Sequence, residues 1–87
     1  MGETIKIENL RDWLVEYVTK SVRETKSDVK EFKEWAKNFD KRTAAILINA
    51  EFHNDFGYSD CKEISIEDAK RYAQSFIDRI VIDWYVL

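Results

Sequence analysis

Residues 28–54 carry an unbroken helical pattern with two unlike halves, and nothing else in the chain constrains its fold as tightly. At ~100° per residue, Val29, Phe32, Trp35, Ala36, Phe39, Thr43, Ile46, Leu47 and Ala50 share an arc of about 120°. In the first half the opposite side is a lysine stripe: Lys26, Lys30, Lys33, Lys37 and Lys41 fall within about 80°. In the second half Ala44, Ala45, Ile48 and Phe52 make the far side apolar too. An amphipathic helix thus becomes greasy all round, and such a helix needs covering. The pattern predicts a central rod wrapped by its neighbours. Asn38-Phe39-Asp40 is a competing break, because Asp40 with Thr43 resembles a new cap. The constant phase of the apolar arc favours one continuous helix, with a kink or a split as the alternative.

Two more helices flank this rod. Asn9 is a good N-cap, and Leu10, Trp13, Leu14, Tyr17, Val18 and Val22 form an apolar face running to about Thr25. Thr25 and Ser27 compete as caps for the middle helix, Thr25-x-x-Asp28 resembling a capping box, so the first connection is only a few residues long. His53 to Glu63 reads as a loop, with Gly57 its left-handed residue. Ser65-x-x-Asp68 is the strongest start signal, ahead of a helix that places Ala69, Tyr72, Ala73, Phe76, Ile77, Ile80, Val81 and Trp84 on one face. The tail from Ile80 to Leu87 also suits a strand, and the alternating Ile5/Ile7 and Ile64/Ile66 offer it partners. The expected fold is mainly α. Three long helices form one small bundle over residues 1–87, the middle one central, with room for one or two short edge strands.

Charge and cysteine narrow the function classes. Residues 1–54 hold ten Lys/Arg and ten Asp/Glu, whereas residues 55–87 hold four against seven, which accounts for the net charge of −3. An acidic chain is a poor starting point for nucleic-acid binding, where phosphate contacts supply most of the affinity. One cysteine, Cys61, allows no internal disulfide. With no signal peptide and no apolar run of 18 residues, a soluble cytoplasmic protein is expected.

Catalytic residue types gather only around the loop: Glu51, His53, Asp55, Asp60 and Cys61. A calcium loop needs ligands spread through twelve residues with a closing Glu, and zinc needs three or four Cys/His ligands; neither pattern is present. One His and one Cys do not make a nucleophile, base and orienting group. The residues therefore predict no catalytic, cofactor or metal site. The partner-binding candidates are the lysine stripe, the loop aromatics Phe56 and Tyr58, and Trp84 with Tyr85 in the tail. The stripe is read as a solvated face or an acidic-protein dock. It lacks the arginine and exposed aromatics that nucleic acid favours. Tail groups such as Ile82 and Val86 point away from the helix's main apolar face and look for cover from the amino-terminal segment, a second copy or another protein.

The expected function is accordingly a small non-catalytic protein-binding protein, an inhibitor or adaptor that masks a surface of a larger macromolecule. A proline-free chain rich in Lys, Glu, Ile and Asn is common among bacteriophage and mobile-element accessory proteins, which suggests an anti-defence role by composition alone. A toxin-immunity-type protein and a nucleic-acid accessory protein using the stripe are the alternatives. The partner is another protein, with self-association through the tail as a competing reading; no membrane is expected.

Overall fold

The computed structural model describes residues 2–56 and 62–86 and is mainly α-helical, with the order β1 (Thr4–Lys6), α1 (Ile7–Arg23), α2 (Lys30–Lys37), α3 (Lys41–Phe56), β2 (Glu63–Ser65) and α4 (Ile66–Val86). The two strands pair antiparallel, with Thr4 opposite Ser65, Ile5 opposite Ile64 and Lys6 opposite Glu63. Backbone bonds extend the ladder at each end: Ile7 N–H donates to Lys62 O at 2.9 Å, and Ile66 N–H to Glu3 O at 2.8 Å. Each strand therefore feeds straight into a helix. Of the alternating isoleucines, Ile5 and Ile64 pair with each other and Ile7 and Ile66 open the helices, while the tail stays helical to Val86.

That handover corrects the first helix start. Asn9 is not its cap; α1 begins three residues earlier than that cap implies, after Lys6 in extended conformation (φ −67°, ψ 139°). The sheet already takes the Ile7 amide, so a side-chain cap is not needed there. At α4 the sequence signal holds, with Ser65 Oγ accepting from Asp68 N–H at 3.1 Å.

The core is built on α1, not on the middle segment. Leu10, Leu14, Val18 and Val22 are fully buried, and α1 packs against α2, α3 and α4. Ala69, Ala73, Phe76, Ile77 and Ile80 close the core from α4. Ala44 and Ile48 do so from α3.

The rod is split. Asn38 N–H and Phe39 N–H bond to carbonyls three residues back, at Trp35 and Ala36, and Asn38 Nδ2 donates to Glu34 O at 2.9 Å. Those tighter bonds close α2. Asp40 then opens α3, its Oδ1 accepting from Thr43 N–H at 2.9 Å and Thr43 Oγ1 at 2.8 Å. The cap thus outweighs the apolar phase, and α3 turns its other side inward. Ala44 and Ile48 are buried, while Thr43 and Ala50 are exposed and Ile46 is 65% exposed. The second half is therefore not wrapped all round. Nor does Thr25-x-x-Asp28 cap α2. Thr25 Oγ1 donates instead to Ser21 O at 2.9 Å, finishing α1, and Ser27 Oγ accepts from Val29 N–H at 3.1 Å.

Candidate functional site

The end of α4 meets α2 through an aromatic cluster. Phe32 is fully buried and lies edge-on to Trp84 at 5.1 Å between ring centroids, while Tyr85 stacks on it at 5.5 Å and 15°. Trp35 closes the group at 5.6 Å from Phe32 and 6.3 Å from Trp84. Such pairs each add ~0.5–1.5 kcal/mol beyond area burial. Trp84 is mostly but not fully buried here, so it holds α2 in place as well as offering surface. Tyr85 is 53% exposed, and its hydroxyl lies 2.9 Å from Ser27 Oγ.

The aliphatic groups beside this cluster stay in water. Ile82 is 58% exposed and Val86 78%, one helical turn apart, with Tyr85 between them on the same side of α4. Val29, at the start of α2 and linked to Ser27, is exposed as well. Ser27, bonded to both Tyr85 and Val29, links these exposed groups of α4 to the start of α2, and the set is termed the apolar strip.

A basic groove adjoins it, lined by Arg23, Thr25, Lys26, Ser27, Asp28, Lys33 and Lys37. Four cations there face one carboxylate. Arg23 Nε donates to Phe39 O at 2.6 Å, which fixes the guanidinium plane across the α2–α3 junction. Among the described residues, Lys26, Lys30, Lys33 and Lys37 have no carboxylate within 4.0 Å. Lys41 differs: it lies past the break, on α3, and pairs with Glu16 of α1. Three of the five stripe lysines, Lys26, Lys33 and Lys37, thus line one groove, and Lys30 and Lys41 do not.

Other sequence candidates fall elsewhere. Phe56 ends α3, but its side chain, like Tyr58 and Cys61, lies outside the described residues. His53 is exposed in the last turn of α3. Among the described residues no three His, Cys, Asp or Glu side chains come together as a metal site, and no helix is long and apolar enough to cross a membrane. Among the described residues, two charged groups are displaced from their usual titration range, both outside the groove. The Asp40 carboxyl is held low, chiefly by the Thr43 backbone and side-chain hydrogen bonds. The Arg79 guanidinium is held high by its hydrogen bond and ion pair with Glu51.

Arg23 is the groove residue that sequence reasoning passed over. It belongs to α1's polar side, and only the turn at residues 24–29 brings it opposite Lys33 and Lys37. The chain matches none of the protein-family models, curated proteins or solved structures with which it was compared.

Proposed function

We propose that this is a small non-catalytic binding protein, an inhibitor or adaptor that covers a surface of a larger protein. The observation that carries the reading is the exposed strip of Val29, Ile82, Tyr85 and Val86 beside the lysine-rich groove. Contiguous apolar surface of this kind is the usual mark of an interface. Leaving it in water forfeits ~25 cal/mol for each Å². The neighbouring cations steer the encounter and select partners, while the aliphatic and tyrosine anchors set the lifetime of the complex. His53 and Cys61 have no catalytic role in this reading.

The test is partner capture from the native host with wild-type protein and an Ile82→Ser/Val86→Ser variant. Wild type should retain a specific protein that the variant loses, with both melting at nearly the same temperature. Equal retention by both, or capture of nothing by either, ends the reading.

A further inference from the structure

We infer that the strip and the groove are one bipartite surface, and that its occupant is an acidic protein segment carrying aliphatic or aromatic anchors, such as an acidic amphipathic helix. This rests on the binding reading above and specifies the partner's chemistry. Ser27 joins the two halves. Its side chain lines the groove, its Oγ accepts from Val29 N–H, and the same oxygen lies 2.9 Å from the Tyr85 hydroxyl. Tyr85, beside the exposed Ile82 and Val86 on α4, therefore sits one hydrogen bond from a residue that lines the groove.

Charge decides the sign of the occupant. The protein carries −3 overall, yet this groove sets Arg23, Lys26, Lys33 and Lys37 against Asp28 alone. Lys33 and Lys37 repel each other at i,i+4 on α2, and among the described residues neither has an ion-pair partner. Carboxylates from outside relieve that repulsion. The apolar half argues against a nucleic-acid strand. Ile82, Val86 and Val29 give bases no π-face, and one face of the Tyr85 ring is already stacked on Phe32. A second copy docked strip to strip doubles the positive charge around one contact, which disfavours it.

Fluorescence anisotropy with three labelled probes tests this: a Glu/Leu amphipathic helical peptide, a glutamate-only peptide of equal charge, and an oligothymidylate. The Glu/Leu peptide should bind at least about tenfold more tightly than either of the others. Lys33→Glu/Lys37→Glu and Ile82→Ser/Val86→Ser should each weaken it by about tenfold or more, with melting unchanged. Several results overturn the inference: no binding of the Glu/Leu peptide, equal binding of the glutamate-only peptide, or tighter binding of the oligothymidylate. Sedimentation showing a dimer that Ile82→Ser/Val86→Ser dissolves overturns it in favour of self-association. The two proposals separate cleanly. A host partner that survives Lys33→Glu/Lys37→Glu but is lost with Ile82→Ser/Val86→Ser removes the charge argument and leaves the binding reading; survival in both variants removes both.

Discussion

Trp84→Ala should unfold this protein at a markedly lower temperature, whereas Ile82→Ser and Val86→Ser, within three residues of it on the same helix, should barely move the transition. Truncating a fully buried Trp costs about 3–5 kcal/mol. Trp84 is mostly but not fully buried, so somewhat less than that range applies, or about 2–4 kcal/mol. Its contacts with Phe32 at 5.1 Å and Trp35 at 6.3 Å are the ones lost. In a domain of this size each kcal/mol shifts the midpoint by about 4–8 °C, so a fall of about 8–32 °C is expected. Ile82 and Val86 are 58% and 78% exposed, and surface changes usually stay within about 0.5 kcal/mol. The assay is far-ultraviolet circular dichroism at 222 nm during heating, backed by urea titration. If Trp84→Ala melts with wild type, or if the serine pair costs more than about 2 kcal/mol, α4 is rotated relative to α2 and the proposed surface is misassigned.

Three further outcomes follow from single side chains. Thr19 is 2% exposed, and its Oγ1 has no hydrogen-bond partner among the described residues, so Thr19→Val should raise stability by about 1 kcal/mol in urea unfolding; a loss of that size would mean the hydroxyl is satisfied. Ser65→Ala removes the α4 cap and should cost about 1 kcal/mol in the same assay, while Ser65→Asp should recover most of it. The Asp40 carboxyl has a folded-state pKa below its ordinary 3.8, so its contribution is full above that value and disappears as pH falls through the lower folded value. Asp40→Asn keeps an acceptor for Thr43 but cannot ionise; its melting temperature should therefore fall less than wild type's between about pH 5 and pH 2, and parallel acid limbs would refute the assignment.

Where a local signal had no tertiary competitor, the fold was legible in the residues. The α1 stripe of Leu10, Leu14, Val18 and Val22, the Ser65 cap and the α4 face from Ala69 to Trp84 all sit as periodicity and capping require. The pattern misled at 38–40, because an apolar arc can keep its phase by coincidence. Phe39 is buried in the connection itself, and α3 starts afresh from the Asp40 cap with Ala44 and Ile48 inward. Asn9 misled for the converse reason: a β-ladder supplied by residues 63–65 replaced the cap, and that pairing is 59 positions away in register at Ile5 and Ile64. At the candidate surface, the lysines and Tyr85 were visible in the sequence. Arg23 and Val29 were not, since their place depends on how the chain turns between α1 and α2.

The break at 38–40 is also what assembles the surface. A continuous rod from 28 to 54 would carry Lys41 in line with Lys37 and hold Phe32, Trp35 and Ile48 to one neighbour. Split, the two pieces dock separately. Helix α3 lies along α1 with Lys41 paired to Glu16, and α2 is free to bring Phe32 and Trp35 against Trp84 and Tyr85. That second docking sets Lys33 and Lys37 opposite Arg23, whose Nε holds the Phe39 carbonyl released by the break. The same hydrogen bond that steadies the junction therefore orients the groove's one arginine. Architecture and candidate site share a single cause: a strong cap at Asp40 in the middle of a pattern that otherwise reads as one helix.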